Sequence, residues 1–134
     1  MNSQIIKKVK EFVFPSELQT LPYVHILDLD KNGVIKPHID SVKFCGQIIG
    51  GLSLLSTSIM RLVHEDNPDL VADVLLKRRS LYIMKDVARY KFTHAILGHK
   101  ESVYDGIEIT RERRISIILR CEPIENPFSK VEVS

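Results

Sequence analysis

A histidine and an aspartate separated by one residue are the first side chains in this sequence that could bind a metal together. His38-Ile39-Asp40 lies within a run of strand-forming residues, and alternate side chains of a β-strand point to the same face. The imidazole and the carboxylate are therefore expected to converge. With a histidine from a distant part of the chain they would form a two-histidine, one-carboxylate triad, which holds Fe(II) by one face and leaves other positions open.

Three other histidines are candidates for the third ligand: His25, His94 and His99. His94 stands between aromatic and aliphatic residues, in the segment YKFTHAIL, which predicts partial burial. A lone histidine in such surroundings is more often a hydrogen-bonded core residue than a ligand, so both interpretations stay open at this point.

The last predicted strand, RRISIILR, has one apolar face and one face with a guanidinium group at each end. Alternation places Arg114, Ser116, Ile118 and Arg120 on the second of these faces. Two arginines so placed can bracket a small dianion through charge-assisted hydrogen bonds, although two ordinary surface arginines are the competing interpretation. Tyr82, on another predicted strand, could bond the same anion or a backbone carbonyl, and its local sequence favours the carbonyl.

Several further motifs are weaker. His64-Glu65-Asp66 repeats the histidine-aspartate spacing but runs into the Asn67-Pro68 turn, where alternation is lost. The segment DLDKNGVI matches the start of an EF-hand calcium loop, yet Ile39 stands where a bidentate carboxylate is required. The basic clusters at 77–79 and 111–113 are interpreted as solvated charge. The sequence contains no G-x-G-x-x-G loop and no G-x-S-x-G elbow.

The elements that must position these residues belong to a chain of 134 residues, which predicts a single domain over residues 1–134. With 44% hydrophobic residues and a net charge of +2, it can bury a core and lacks the charge of a dedicated nucleic-acid binder. No apolar run is long enough to span a membrane. Cys45 and Cys121 are expected to be packed core thiols in a reducing compartment.

Helical spacing of apolar residues predicts a short amphipathic helix over about residues 1–16. From Tyr23 onward the chain is mainly β, with seven short strands that favour a sandwich, jelly roll or barrel. Asn32-Gly33 is compatible with a tight hairpin, and residues 66–69 are expected to form a loop. Residues 123–134 are expected to be a loose tail. The predicted strands, in chain order, are YVHILDLD, VIKPHID, IIGGLSLLS, IMRLVH, VADVLL, SLYIM and RRISIILRC.

The order H-x-D, distant His and R-x5-R resembles the AlkB family of Fe(II)- and 2-oxoglutarate-dependent dioxygenases, and in particular a mitochondrial branch of it. The resemblance extends from about residue 5 to residue 120, and several separate motifs carry it. They are the segment 23–46, GLSLLS at 51–56, MRLVH at 60–64, SLYI at 80–83, ARY at 88–90 and RRIS at 113–116.

This resemblance implies a double-stranded β-helix (a jelly roll, cupin-like) in which His38, Asp40 and His94 bind Fe(II). It implies that Tyr82 and Arg114 hold the carboxylates of 2-oxoglutarate and that Arg120 closes the same pocket near the metal. The expected activity couples the conversion of 2-oxoglutarate and O2 to the oxidation of a C–H bond. The resemblance further implies the mitochondrial matrix, fatty-acid metabolism and regulated necrosis, although the basic N-terminal segment is a poor transit peptide.

Two departures from the base-repairing members of the family bear on the substrate. Their Asn-x-Tyr motif is absent from the strand HILDLD, and only 37 residues precede His38, too few for a nucleotide-gripping lid. The short upstream region also predicts a chain that begins inside the usual domain, without one or two early strands. A protein or other non-nucleic-acid substrate is therefore favoured over a flipped base. The alternatives are a mitochondrial RNA demethylase and a catalytically silent jelly-roll binding module.

Overall fold

The computed structural model describes residues 2–124, which form two helices and ten strands. The helices are α1 (Asn2–Val13) and α2 (Asp86–Tyr90). The strands are β1 (His25–Leu29), β2 (Ile35–His38), β3 (Ile48–Leu54), β4 (Ser58–His64), β5 (Val71–Leu76), β6 (Ser80–Lys85), β7 (Phe92–Ile96), β8 (Val103–Tyr104), β9 (Ile107–Glu108) and β10 (Arg114–Arg120).

Eight of these strands form two four-stranded antiparallel sheets. The strand order is β1-β10-β3-β6 in the first sheet, called here the major sheet, and β2-β7-β4-β5 in the second, called the minor sheet. Consecutive strands repeatedly change sheet, and strands distant in sequence become neighbours. This arrangement is the predicted double-stranded β-helix, and β8 and β9 form a separate two-stranded hairpin.

Alternation along β10 determines which side chains enter the space between the sheets. Ile118 packs in the inner core with Ile49 of β3 and Ile96 of β7, and the residues of β10 that share its face also point inward. Leu119 faces the opposite way and packs in a second cluster against α1. The predicted division of this strand into an apolar face and a face tipped by arginines is therefore confirmed, and the structure shows that the arginine-tipped face is the inner one.

Helix α1 covers the outer side of the major sheet. Val13 and Phe14, each 5% exposed, pack with Ile48 and Leu119. The helix ends at Val13 because Pro15 follows two residues later, and the residue before a proline is disfavoured in helical conformation. The predicted N-terminal helix is thus confirmed, with an end three residues earlier than expected. No helix within the described residues is long and apolar enough to cross a membrane.

The seven predicted strands are all present, but the turn expected at Asn32-Gly33 is not a hairpin. The Gly33 amide donates to the Asp30 carbonyl at 2.8 Å, which closes a turn. The strands on either side, β1 and β2, belong to different sheets, so this turn carries the chain across the fold. The loop expected at 66–69 does connect two paired strands, β4 and β5.

Four elements were not predicted from the sequence. They are β7, α2, and the strands β8 and β9 of the separate hairpin. Two expectations about single residues were also wrong. Arg111 is 3% exposed rather than solvated, and Cys45 is partly exposed, whereas Cys121 is buried as expected. The expected loose tail lies outside the described residues, apart from its first two positions.

Candidate active site

His38, Asp40 and His94 meet at one end of the space between the sheets. The Nε2 atom of His38 lies 3.3 Å from Oδ1 of Asp40, and Nε2 of His94 lies 3.6 Å from the same oxygen. The three ligand atoms all fall within 4.8 Å of one another. Neighbouring ligands about 2.1 Å from one ion lie roughly 3 Å apart in octahedral geometry. The donor set and its spacing therefore fit a divalent iron ion held by one face.

Two different parts of the minor sheet bring this cluster together. His38 is the last residue of β2 and pairs in register with His94 of β7. Asp40 lies just beyond the strand, not on it as the sequence predicted, and the register is irregular between Ile35 and His38. Its carboxylate nevertheless turns back toward His38. The convergence expected from strand alternation thus arises at a strand end instead.

Backbone contact sets the tautomer of His38. Its Nδ1 lies 2.8 Å from the carbonyl oxygen of Lys36. A carbonyl oxygen can only accept, so Nδ1 donates the hydrogen in the neutral ring. The lone pair of Nε2 then faces Asp40 and His94, as a metal ligand requires.

Asp40 is held ionised although it is buried. Burial alone would raise its pKa, but the hydrogen bond and charge of Arg120, together with the two histidines, outweigh burial and lower the pKa. Nε of Arg120 donates to Oδ2 of Asp40 at 2.8 Å. The second carboxylate oxygen, Oδ1, is left facing the two histidines.

His94 is kept neutral by its surroundings. Burial, reinforced by His38, lowers its pKa from 6.5 to about 4. Its side chain is 13% exposed, whereas that of His38 is 44% exposed. A neutral imidazole is the form that binds a metal, so His94 is prepared for this role at neutral pH.

A cavity of about 40 Å³ lies beside the triad, between the two sheets. Its walls include the three triad residues together with side chains from β6 and β10 of the major sheet. The polar groups among these are Tyr82, Arg114, Ser116 and Arg120. The tertiary structure thus brings every residue of the predicted site to one cavity.

Arg114 is a buried cation without an acidic neighbour. It is 2% exposed, its Nε donates to Oγ of Ser53 at 3.0 Å, and burial lowers its pKa. None of the ion pairs among the described residues includes it. A guanidinium removed from water costs free energy unless it is paired, so this position is suited to a bound anion.

Tyr82 and Ser116 add hydrogen-bonding groups to the same cavity. Burial raises the pKa of Tyr82 to about 12, so its hydroxyl remains a donor. Its ring lies directly over Gly51 of β3, where a Cβ atom would collide with the ring carbons. The buried Oγ of Ser116 has no protein partner within residues 2–124. These groups, with Arg114, offer hydrogen-bond donors to an anion in the cavity.

Arg120 does not stand free opposite Arg114. Two of its donors are occupied, Nε by Asp40 and Nη1 at 3.2 Å from Nδ1 of His25. Bracketing of one dianion by both arginines stays a prediction, since both line the cavity, but the two side chains have different contacts. Arg120 supports the triad carboxylate, and Arg114 faces the cavity.

The other residues considered as metal ligands from the sequence are not part of the triad. His25 contacts Arg120, and His99 is exposed on a loop. The His64 ring accepts a hydrogen bond from the Asp66 amide at 3.1 Å, which is a local turn contact. Asp28 of the calcium-like segment pairs with Arg113.

Three residues of the site were missed by sequence reasoning: Ser53, Ser116 and Arg89. Serine on a strand carries no distinctive signal, although Ser116 shares the inner face of β10 with Arg114. Arg89 donates to backbone carbonyls around Asp40. Only its position in the motif Ala88-Arg89-Tyr90, already part of the family resemblance, could have drawn attention to it.

The fold and the site together define a class. A family model described as the 2OG-Fe(II) oxygenase superfamily matches residues 26–120, and the chain belongs to this superfamily. Membership implies Fe(II) and 2-oxoglutarate as cofactor and cosubstrate.

Relatives support the more specific resemblance to AlkB proteins. The chain is 48% identical over 119 residues to the mouse (Mus musculus) protein named alpha-ketoglutarate-dependent dioxygenase alkB homolog 7, mitochondrial. This match covers 89% of the chain and 54% of the mouse protein, so the chain spans about half of that relative's length. A Caenorhabditis elegans protein named DNA N6-methyl adenine demethylase is 28% identical over 120 residues, covering 90% of the chain and 36% of that protein.

Among solved structures, that of OsALKBH1 resembles the chain with a TM-score of 0.57. The sequence identity is 17%, and the match covers 87% of the chain and 61% of the other protein. At this identity the comparison supports the fold alone.

Proposed function

We propose that this protein is an Fe(II)- and 2-oxoglutarate-dependent dioxygenase of the AlkB type. One observation carries the proposal: a His-Asp-His cluster and a buried arginine without an acidic partner face the same cavity. The first is suited to iron and the second to an anion beside it. Bound iron, with 2-oxoglutarate and O2, supplies the oxidation of a C–H bond while 2-oxoglutarate becomes succinate and CO2.

The triad, Tyr82, Arg114 and Arg120 have distinct roles in this proposal. His38, Asp40 and His94 hold the metal. Arg114 binds the distant carboxylate of 2-oxoglutarate, and the Tyr82 hydroxyl donates to the cosubstrate. Arg120 keeps the Asp40 carboxylate ionised and oriented. No side chain is needed as a proton donor or acceptor.

We further propose that the main substrate is a protein or another molecule that is not a nucleic acid. The net charge is only +2, and the partly exposed Arg61 and the exposed Arg113 are paired with Asp73 and Asp28, although the exposed Arg78 and Arg79 form no ion pair among the described residues. Near the triad, the loop after Asp40 exposes the apolar side chains of Val42 and Phe44. Such a surface favours an apolar group more than a phosphate backbone.

The cellular setting is proposed from the relatives alone. A protein that shares 48% identity with this chain is named mitochondrial, which supports a mitochondrial location. Assignment to the matrix and links to fatty-acid metabolism and regulated necrosis remain predictions from the family resemblance.

The test is production of succinate from 2-oxoglutarate by the purified protein with Fe(II) and O2. We expect turnover in the wild type and its loss in His38→Ala, because one metal ligand is removed. His99→Ala is the matched control, since this exposed histidine lies outside the triad. A folded wild type that forms no succinate would exclude the enzymatic proposal.

A nucleic-acid demethylase is the second candidate, and the name of the C. elegans relative favours it. Incubation with methylated RNA or DNA distinguishes the two, because demethylation removes the methyl mark and releases formaldehyde. A silent binding module would instead bind metal and 2-oxoglutarate without consuming oxygen.

A further inference from the structure

The buried guanidinium of Arg89 forms hydrogen bonds with the segment that carries Asp40. Segment 40–46, called here the Asp40 loop, connects the end of β2 to β3. Arg89 of α2 is 1% exposed and donates to carbonyl oxygens at both ends of this loop. Its Nε lies 2.8 Å from Gly46 O and its Nη1 lies 2.9 Å from Asp40 O.

The second terminal nitrogen of Arg89 continues the same pattern. Nη2 lies 3.1 Å from the carbonyl oxygen of Cys45 and 3.4 Å from that of Ser41. Four carbonyl groups of one loop thus surround one cation, and no ion pair among the described residues includes Arg89. All the hydrogen bonds recorded for this guanidinium go to backbone carbonyls of the loop, and it also lies 4.7 Å from the centre of the Tyr90 ring.

The Asp40 loop has little side-chain packing of its own. Val42 and Phe44 are 61% and 67% exposed. Two backbone hydrogen bonds support it, from the Cys45 amide to Ser41 O at 2.9 Å and from the Gly46 amide to Cys121 O at 2.8 Å. The carbonyl of Asp40 is therefore held by Arg89, while its carboxylate is held by Arg120, so the ligating position of Asp40 depends on both arginines.

Arg89 also links the segment that carries His94 to the loop that carries Asp40. Helix α2 is followed directly by β7, which carries His94 five residues after Arg89. The same short segment thus supplies one ligand and grips the backbone of another. We infer that Arg89 is a positioning residue that sets metal affinity by keeping Asp40 in ligating geometry before the metal arrives. This inference rests on the proposed metal site.

Arg111 provides a matched control for this inference. It is also a buried arginine, 3% exposed, and it donates to the backbone carbonyls of Leu97 and Asp30. It does not contact the Asp40 loop. Replacement of either arginine by lysine keeps the charge but removes the planar fork that reaches several carbonyls at once.

The experiment compares Arg89→Lys and Arg111→Lys by calorimetric titration with Mn(II), together with urea unfolding of the metal-free proteins. We expect both variants to be less stable than the wild type. Only Arg89→Lys should bind Mn(II) about 10–100-fold more weakly, the usual effect of losing an outer partner of a metal ligand. Arg111→Lys should bind within about twofold of the wild type.

Two results would overturn the inference: unchanged affinity in folded Arg89→Lys, or an equal loss of affinity in Arg111→Lys. If the wild type itself binds no metal, the proposed function fails as well. A wild type that binds, with an Arg89→Lys variant that binds equally, removes the inference alone.

Hydrogen exchange of the wild type tests the inference even if Arg89→Lys does not fold. The amides of Cys45 and Gly46 should be protected in the metal-free protein to an extent similar to the amides of β3, and Mn(II) should add little protection. Rapid exchange of these amides until metal is added would mean that the metal, and not Arg89, orders the loop.

Discussion

At the scale of single residues, two opposed effects act on the pKa of Asp40. Burial favours its neutral form, and Arg120 with the two histidines favours the carboxylate, which prevails. His94 experiences the reverse balance, because burial prevails and keeps the imidazole neutral. Asp40 and His94 are therefore in their metal-binding protonation states before any metal is present.

The lowered pKa of His94 predicts a pH dependence of stability in the metal-free protein. The ordinary pKa is 6.5 and the folded value is about 4, so between these values the unfolded chain binds more protons. The contribution of neutral His94 to the free energy of unfolding should be complete above pH 6.5. It should decrease as the pH falls toward 4, by at most about 1.4 kcal/mol per pH unit. Urea unfolding from pH 7 to pH 4.5 measures it.

The control for this pH dependence is His94→Gln, which has no titrating group at this position. The variant should show a shallower decline over the same interval. The lowered pKa of Asp40 contributes at lower pH, because a depressed carboxyl pKa removes stability only as the pH falls through the carboxyl range. Equal slopes in the wild type and His94→Gln would contradict the prediction.

Arg114 allows a second test at this scale. Arg114→Lys should weaken 2-oxoglutarate binding by about 10–100-fold, since a hydrogen bond to a charged group contributes about 1.5–3 kcal/mol. Mn(II) binding should be unchanged, because Arg114 does not contact the triad. Arg113→Lys is the matched control: this neighbour is on the outer face and pairs with exposed Asp28. Similar affinities for 2-oxoglutarate in both variants would argue against the assigned role.

At the scale of elements, two successive glycines of β3 allow close packing on both faces of the strand, against Tyr82 on one face and against α1 on the other. Gly51 faces inward under the Tyr82 ring, and Gly50 faces outward under Val13 of α1. A Cβ atom at Gly50 would lie 2.9 Å from Val13 Cγ1, and one at Gly51 would collide with the Tyr82 ring. One strand therefore fits closely against helix α1 on one side and against the Tyr82 wall of the cavity on the other.

This arrangement predicts different effects for two similar substitutions. Gly50→Ala and Gly51→Ala should each destabilise the fold by about 1–3 kcal/mol, the usual effect of overpacking. Only Gly51→Ala should also weaken binding of 2-oxoglutarate, because it displaces Tyr82. Calorimetric titration and urea unfolding of both variants measure the two effects. Loss of 2-oxoglutarate affinity in Gly50→Ala as well would indicate a general disturbance of the sheet.

Elements with strong alternation were predicted, and shorter or less regular ones were missed. β10 alternates arginine and serine with aliphatic residues, so its two faces were evident before the structure was known. β7, FTHAI, lacks alternation because Thr93 and His94 are adjacent polar residues at its centre, and α2 has five residues, fewer than two helical turns. Such segments are determined by the strands they contact, and their own composition contains little information.

At the scale of the whole molecule, the site joins the two sheets. His38 and His94 belong to the minor sheet, whereas Tyr82 and Arg114 belong to the major sheet. Metal and 2-oxoglutarate, bound together, would connect the sheets across the cavity. Ligands that bind only the folded state must increase its stability.

We therefore expect Mn(II) and 2-oxoglutarate together to raise the melting temperature by more than the sum of their separate effects. At about 100 times the dissociation constant, binding contributes about 2.7 kcal/mol, which corresponds to roughly 10 °C for a chain of this size. Differential scanning calorimetry measures the shift. His38→Ala should lose the joint effect, and a strictly additive shift in the wild type would mean that the two ligands bind independently.

The amino-acid sequence alone determined what depends on neighbours along the chain. Strand alternation placed Arg114 and Arg120 on one face, and close spacing brought His38 and Asp40 together. Only the tertiary structure decided which residues meet across the fold. Pairing of β2 with β7 selects His94 over His25 and His99, strand order brings Arg120 to Asp40, and packing buries Arg89 and Arg111. The physical reason is that alternation is a local property of an extended backbone, whereas contacts between distant strands depend on the order and register of both sheets.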